Sequence, residues 1–381
     1  MNSIKNISCS LLICCSASAI VAQECGVETL HKNNFLKKTL GSGFDQLCIP
    51  VVVHVVYYNP ETNISNSQVF SQIDALNKDF NLYHSAVDDI VNGFKNDAAE
   101  ANILFYLTEV DPEGLSTDGI THTSTTHGVF GNNDIHYHTG GGADAWDEDN
   151  YLNIWVCDLS AGISGYAKLP DSASGIDGVV IDYKYFGTTG NLVSNRNLGR
   201  TTTHEVGHWL GLNHIWGIEG CSDDDGIDDT PMQEEASYGC NTTMISCGSL
   251  NMSQNFMDYS DDNCRLFFTN NQVEVMRTTL KNDRVGMLTC NDTLGINEAV
   301  PSQIALYPNP IKDNLTIMNE RSDFLIQKIK VVDISGNIVS TQSFNPKHPG
   351  VSLTGLPNGI YFIQLITDNN EVYTSRIIKI N

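Results

Sequence analysis

The N-terminal half of the chain alternates between two hydrophobic patterns. Residues 48–58, CIPVVVHVVYY, form a nearly continuous apolar run rich in β-branched residues, which predicts a strand buried on both faces. Apolar side chains at helical spacing come next, and strand-like runs follow at residues 103–110 and 150–159. This order predicts an α/β fold in which helices flank a mixed sheet. The apolar positions of the predicted helix are Val69, Ile73, Leu76 and Phe80.

The pattern changes near the C-terminus. From residue 302 to residue 381, short alternating strands are separated by Pro, Asn and Gly turn formers, and cysteine no longer occurs. Such a segment is typical of a small all-β sandwich of the immunoglobulin-like kind. We therefore expect a larger α/β domain over residues 46–295 and a separate β domain over residues 302–381.

The first 45 residues are expected to be processing segments. Residues 1–22 combine Lys5, an apolar centre and small residues before the predicted cleavage near Ile20 or Gln23, which is typical of a signal peptide. Residues 23–45 are polar and contain Gly-Ser-Gly near their end, which favours a short prosegment. Later apolar runs are too short to span a bilayer. The pattern favours a secreted protein without a transmembrane segment.

The overall charge excludes two classes of partner. The 381 residues include 45 acidic side chains against 21 Lys and Arg, for a formal charge of −24. This excess repels nucleic acids and anionic membranes, so we expect neither as a partner. Export also places the cysteines in oxidising surroundings, where disulfide bonds persist.

Histidine is concentrated in residues 201–217, TTTHEVGHWLGLNHIWG. On a helix, His204 and His208 lie one turn apart on the same face and can bind one ion. Gly211 can take a positive φ, end the helix and return the chain so that His214 supplies a third imidazole. Three imidazoles with an open fourth position predict a catalytic Zn²⁺ site.

Glu205 gives this predicted site its chemistry. A zinc-bound water is more acidic than bulk water, and Glu205 is placed to take its proton and pass it to the leaving amine. The sequence therefore predicts a zinc-dependent metalloendopeptidase that hydrolyses peptide bonds. Two alternatives stay open, an adhesion module with a structural zinc and a calcium-dependent binding protein with an inactive site.

The motif HEVGHWLGLNH resembles the HExxHxxGxxH pattern of metzincin metalloproteases. Within metzincins the chain is most similar to the pappalysin family, the group that includes ulilysin, through segments spread over residues 46–290. The resemblance implies that QNFMDYS forms the methionine turn below the zinc, with Met257 in the turn and Tyr259 near the metal. It also implies that residues 162–169 form an edge strand that pairs with an extended substrate.

An acidic loop follows the histidines. Residues 223–229 contain five aspartates, but their spacing does not fit an EF-hand. The pappalysin resemblance implies a structural Ca²⁺ bound by Asp225, the carbonyl of Ile227, and Thr230. A hydrated surface turn without an ion is the alternative.

The resemblance also assigns the cysteines. It implies disulfide bonds between Cys221 and Cys247 and between Cys240 and Cys264. Related zymogens use a prosegment cysteine as a zinc ligand, so Cys25 is a candidate cysteine switch, with a disulfide to Cys48 as the alternative. For Cys157, inside a predicted strand, we expect a buried free thiol. The partners of Cys48 and Cys290 stay open.

The C-terminal strands resemble a known targeting module. LYPNP, VVDISGNIV and LPNGIYFIQL are similar to the sorting domain of the bacterial type IX secretion system. This resemblance implies that the secretion machinery is a partner, besides protein or peptide substrates, and that a bacterium secretes the protein. A generic sandwich for surface attachment is the alternative.

Overall fold

A computed structural model of the chain describes two stretches of sequence. The first covers residues 47–82, 84–131, 133–170 and 175–287. The second consists of residues 304–307, 311–319, 325–333, 338–346, 349–357, 359–368 and 372–379. The predicted signal peptide, prosegment and domain boundary, together with Cys25 and Cys290, lie outside these residues.

The first stretch contains ten strands and three α-helices. The strands are β1 (Leu47–Tyr57), β2 (Ala98–Ala99), β3 (Ile103–Leu107), β4 (Ile120–Ser124), β5 (Leu152–Cys157), β6 (Gly165–Ala167), β7 (Val179–Asp182), β8 (Ile245–Ser246), β9 (Ser249–Leu250) and β10 (Phe268–Thr269). The helices are α1 (Asn66–Phe80), α2 (Arg200–Trp209) and α3 (Asn270–Asn282). Short 3-10 turns occur at Val87–Asp89, Asn133–His136, His138–Gly140, Tyr183–Tyr185, Gly220–Ser222 and Val285–Met287.

The main sheet has the order β3-β1-β5-β7-β6. Strands β3 and β4 share one side of β1, and both pair with it in parallel. Strands β5 and β7 continue the parallel sheet, while β6 pairs antiparallel with β7 at the edge. The predicted mixed sheet and its buried first strand are therefore confirmed.

Among the described residues, the three α-helices pack on one face of this mixed sheet. The four predicted apolar positions of α1 join a core that also includes side chains of α2 and α3. Loop residues pack on the opposite face, where Phe130, Ile135 and Ala143 surround Trp155. The indole of Trp155 donates to the Ala143 carbonyl over 2.8 Å, which fixes this loop to the sheet. A loop can replace a helix here because it buries enough apolar surface against the strands.

Residues 47–209, the sheet region, contain most of the regular structure. Residues 210–267, the disulfide region, contain only the two-residue strands β8 and β9 besides one 3-10 turn, and every residue of this range is described. Helix α3 then begins at a capping box, in which the side chains of Thr269 and Gln272 each accept a hydrogen bond from the backbone N–H of the other residue. The predicted metal ligands lie where these two regions meet.

The second stretch is all β. Its strands are β11 (Ile304–Tyr307), β12 (Asn314–Asn319), β13 (Ile326–Asp333), β14 (Ile338–Ser343), β15 (Gly350–Ser352), β16 (Gly359–Thr367) and β17 (Val372–Lys379). They form two antiparallel sheets, β11-β12-β15 and β14-β13-β16-β17. Both sheets contribute side chains to one apolar core, which includes Leu315, Ile317, Val351, Val331, Ile363 and Leu365.

No helix among the described residues has the length and apolarity that a bilayer-spanning segment requires.

Candidate active site

Helix α2 presents two of the predicted ligands from adjacent turns. His204 and His208 are both buried, and their Nε2 atoms lie 3.1 Å apart. This closeness follows from the four-residue spacing, which puts both imidazoles on one face of the helix.

A glycine ends this helix in the predicted way. Gly211 has a φ of +92°, and its N–H donates to the His208 carbonyl over 2.8 Å. The N–H of Leu212 donates to the Gly207 carbonyl over 3.0 Å, which completes a Schellman-type helix end. A Cβ at position 211 would lie 2.8 Å from Oγ1 of Thr279, so glycine also suits the packing. The turn directs the chain back along the helix.

His214 completes a cluster of three imidazoles. Its Nε2 lies 3.1 Å from Nε2 of His208, and the ligand atoms of all three histidines lie within 4.8 Å of one another. Two nitrogens bound to one tetrahedral zinc at about 2.0–2.1 Å would be separated by about 3.3 Å. The residues therefore fit a zinc ion, and within the described parts of the chain no other cluster of three such side chains occurs.

Two main-chain carbonyls orient the helical ligands. Nδ1 of His204 donates to the Phe256 carbonyl and Nδ1 of His208 donates to the Leu212 carbonyl, each over 2.7 Å. These bonds leave each Nε2 lone pair available for a metal. The sequence motif did not reveal either carbonyl, because any residue type supplies one.

Burial keeps the three imidazoles neutral. It lowers the pKa of His208 from 6.5 to about 4. Burial, with a further contribution from the neighbouring imidazoles, lowers the pKa of both His204 and His214 well below 6.5. Neutral imidazole is the form that binds a metal.

The side chain of Glu205 projects from α2 toward the edge strand β6. Its side chain is 1 % exposed. A Cβ at Gly165 would lie 3.1 Å from Cγ of Glu205, so the absence of a side chain in β6 lets the strand approach this carboxylate closely. The predicted general base and the predicted substrate strand are therefore adjacent.

Met257 supports the helix from the opposite side. The Asp258 N–H donates to the Asn255 carbonyl over 3.1 Å and the Met257 N–H donates to Oδ1 of Asn255 over 2.8 Å, which makes a tight turn. The Met257 side chain is fully buried, and its Sδ would lie 2.6 Å from a Cβ at Gly207. Glycine in the middle of the motif thus allows the methionine to contact the helix.

Tyr259 lies beside two of the imidazoles. Its ring centroid is 5.6 Å from that of His204 and 5.0 Å from that of His214. The guanidinium of Arg196 donates to the Tyr259 carbonyl over 2.8 Å, which fixes the backbone at this point.

Trp216 is a site residue that the sequence analysis missed. Its indole stacks on the His214 ring, with 4.4 Å between centroids and 10° between planes. The same indole meets the Tyr259 ring edge to face at 4.7 Å. The sequence feature that could have indicated its role is its position two residues after the last histidine of the motif.

The acidic loop brings the three predicted calcium ligands together. Oδ1 of Asp225 accepts from the Thr230 hydroxyl over 2.7 Å, and this hydroxyl lies 2.7 Å from the Ile227 carbonyl. Oδ2 of Asp225 is buried without a hydrogen-bond partner. Burial raises the pKa of Asp225 from 3.8 to about 8.

Asp229, in the same loop, has a different role. Its carboxylate accepts from the Thr269 hydroxyl over 2.6 Å and from the Asn271 N–H over 2.9 Å. Asp229 therefore stabilises the start of α3, a role that the charge pattern alone did not indicate.

The disulfide pairing expected for the disulfide region is confirmed. Cys221 is bonded to Cys247 and Cys240 to Cys264, with Cα atoms 5.3 Å and 5.6 Å apart. Cys157 is a buried free thiol, as expected. Cys48 is also disulfide-bonded.

Comparison with known proteins identifies the family. A model of the peptidase M43 family, described as pregnancy-associated plasma protein-A, matches residues 139–281. An extracellular metalloprotease of Arthroderma benhamiae is 32% identical over 231 residues, which cover 57% of this chain and 77% of that protein. The chain belongs to the peptidase M43, or pappalysin, family. It is a secreted zinc metallopeptidase.

Other relatives agree with this family membership. An extracellular metalloprotease of Pyricularia oryzae is 40% identical over 145 residues, 35% of this chain and 50% of that protein. Among solved structures, mature mirolysin of Tannerella forsythia in complex with a cleaved peptide has 43% sequence identity and a TM-score of 0.63. That similarity covers 65% of this chain and 97% of mirolysin. The mixed α/β region thus has a metalloprotease fold similar to that of mirolysin.

The C-terminal strands match a second family model. The secretion system C-terminal sorting domain covers residues 305–380. This domain identifies the peptidase as a secreted bacterial protein that uses the type IX secretion machinery.

Proposed function

We propose that His204, His208 and His214 hold the catalytic zinc and that Glu205 is the general base. The convergence of three Nε2 atoms beside a buried carboxylate carries this assignment. A zinc ion held there supplies Lewis-acid polarisation and water activation. Glu205 accepts a proton as the water oxygen attacks the peptide carbonyl carbon, and returns it to the amide nitrogen as the C–N bond breaks.

Substrate binding is assigned to β6. The strand lies at an edge of the sheet, so its outer backbone groups can pair with an extended peptide. The closeness of Gly165 to Glu205 would place the paired peptide next to the base. The tight turn around Met257 is assigned as the methionine turn, and Tyr259 as a hydrogen-bond donor to the developing oxyanion.

Calcium binding is assigned to Asp225, the carbonyl of Ile227, and Thr230. The buried Oδ2 of Asp225, without a hydrogen-bond partner, supports a cation at this loop. A buried carboxylate with a raised pKa is stabilised in its ionised form by such an ion.

The remaining assignments concern domains and latency. We assign residues 1–22 to a signal peptide, residues 23–45 to a prosegment with Cys25 as a cysteine switch, and residues 46–295 to the catalytic domain. The shared core of the two C-terminal sheets supports an immunoglobulin-like sandwich over residues 302–381. The type IX secretion machinery would recognise this sandwich as the sorting signal and export the enzyme.

Replacing Glu205 with Gln tests the reaction. The wild type is expected to cleave denatured casein or gelatin, while Glu205→Gln binds the same amount of zinc and is slower by roughly 10²–10⁴-fold. Zinc is measured in both proteins by atomic emission. If neither protein cleaves while both hold zinc with calcium present, the metal is structural and the assignment of Glu205 is wrong.

A further inference from the structure

The three imidazoles of the zinc site are not oriented in the same way. Main-chain carbonyls accept from Nδ1 of His204 and of His208. Within the described residues, no such acceptor is found for Nδ1 of His214. The ring of His214 instead stacks on an aromatic side chain, and a contact that fixes the plane of an imidazole favours metal binding.

The Trp216 indole supplies that contact. It lies nearly parallel to the His214 ring, and it also meets Tyr259 edge to face. Such aromatic pairs stabilise each other beyond the burial of their area. One side chain thus limits the movement of both the third ligand and the tyrosine beside it.

The backbone of Trp216 is attached to the acidic loop. Trp216 forms an antiparallel bridge with Asp224. A Cβ at Gly217 would lie 2.4 Å from the Asp223 carbonyl carbon, a distance that no real side chain could keep. Only glycine allows the two backbones to approach this closely, so the backbone next to the indole packs directly against the loop.

We propose that Trp216 is the positioning residue for His214 and Tyr259, and that the acidic loop sets its position through the contact with Gly217. The proposal rests on the zinc site proposed above. Trp216 acts on the reaction through these two side chains, and the acidic loop acts through Trp216.

The first test compares Trp216→Leu with Trp216→Phe in the full chain. Leucine keeps apolar volume but removes the stack, so the zinc dissociation constant is expected to rise about 10- to 100-fold. Turnover per bound zinc falls by at least about fivefold, with KM nearly unchanged, because Tyr259 is also displaced. Trp216→Phe keeps an aromatic ring, so its zinc dissociation constant and its turnover per bound zinc are expected to stay within about threefold of the wild type.

Trp146→Leu is the matched control. Trp146 packs against His54 and Tyr151, away from the zinc ligands. This variant is expected to keep the zinc affinity and turnover of the wild type. If Trp216→Leu loses only thermal stability while zinc affinity and turnover stay within twofold of the wild type, Trp216 is ordinary packing and the proposal is wrong.

Gly217→Ala tests the link to the acidic loop. The added methyl group displaces the loop from Trp216, so zinc affinity is expected to fall as in Trp216→Leu, although the indole is intact. A Gly217→Ala variant that has the circular dichroism spectrum of the folded wild type and unchanged zinc affinity would refute the link.

Tryptophan emission separates this proposal from the assignment of the base. The chain has four tryptophans. A zinc-dependent change in emission is expected to be lost in Trp216→Phe and kept in Trp146→Phe. This readout needs no cleavage, so it remains decisive even if Glu205→Gln shows that the base was assigned wrongly. Equal changes in both variants would contradict the proposed role of Trp216.

Discussion

The sheet region and the disulfide region meet at the three histidines, and different interactions stabilise them. In the sheet region, apolar side chains from six strands and two helices form a continuous core. The disulfide region adds side chains such as Ile215, Phe256 and Leu266 to this core, but it has few regular backbone ladders and also contains two disulfide bonds, side-chain hydrogen bonds and glycines with positive φ. Helix α2 supplies His204 and His208 from the first region, while His214 comes from the second.

This division assigns different tasks to the two regions. A helix packed on a sheet holds two ligands rigidly, at a spacing set by helix geometry. An irregular region can place a third ligand and a tyrosine beside the two helical imidazoles. Crosslinks then replace the stability that regular structure would have supplied.

The largest expected effect on stability is in the sheet region. Phe105 is almost fully buried against Phe80, so Phe105→Ala should cost about 3–5 kcal/mol in the free energy of unfolding. Leu115→Ala, at a 64% exposed position, should change it by less than about 0.5 kcal/mol. Urea unfolding measures both variants, and equal losses would contradict the placement of Phe105 in the core.

Removing one crosslink should weaken the other region selectively. The Cys240–Cys264 disulfide closes a loop with a sequence separation of 24 residues, so replacing both cysteines with Ser should cost about 3–4 kcal/mol. Hydrogen exchange should show lost protection in residues 210–267 and little change in β1 and β5. Equal loss in both regions would mean that they unfold as one unit.

Two buried carboxylates are expected to make stability depend on pH. Burial raises the pKa of Asp79, beside Arg200, and of Asp258, held by neutral donors, from 3.8 to about 6. Between these two pKa values the folded state holds a proton that the unfolded state has lost. The stabilisation of the folded state by this proton is complete below pH 3.8 and disappears as the pH rises through 6. Between pH 4 and 6 the free energy of unfolding of the wild type should fall by roughly 2 kcal/mol relative to that of Asp79→Asn. A difference that stays flat or has the opposite sign would show that Arg200 dominates.

Salt distinguishes these two carboxylates. The Asp79 pair is a salt bridge, whereas the side chain of Asp258 accepts from Gln233 and from the N–H groups of Ser237 and Tyr259. Added salt should change the pH dependence of Asp79→Asn more than that of Asp258→Asn, although burial limits both changes.

The smallest effect tests the division of roles within the acidic loop. Asp229→Ala removes the acceptor at the start of α3 and should cost about 1 kcal/mol. Calcium affinity, measured by calorimetry, should fall far less than in Asp225→Ala. If the two variants lose calcium equally, Asp229 is itself a ligand.

Local patterns predicted the parts of the site that depend on short-range geometry. Helical periodicity placed His204 and His208, and the need for a positive φ placed the turn at Gly211. The stack of Trp216 on His214 depends on how the acidic loop packs against Gly217, a contact that no periodicity encodes. The accepting carbonyls of Phe256 and Leu212 were equally hidden, since every residue has a carbonyl.

The fold was predictable to a similar depth. The apolar run of β1 and the helical spacing of α1 specified their elements because burial fixes both patterns. The packing of a loop on the second face of the sheet could not be predicted from the sequence, because a loop and a helix can bury the same apolar surface. The order of the strands likewise depends on contacts distant in sequence.

The buried thiol of Cys157 has a consequence for oxidative folding. While the chain is unfolded, this thiol is free to exchange with the disulfides at 221–247 and 240–264. Once β5 lies between β1 and β7, burial raises the pKa of the thiol and removes it from solvent, so exchange stops. Closure of the sheet around β5 therefore protects the two crosslinks from exchange with this thiol.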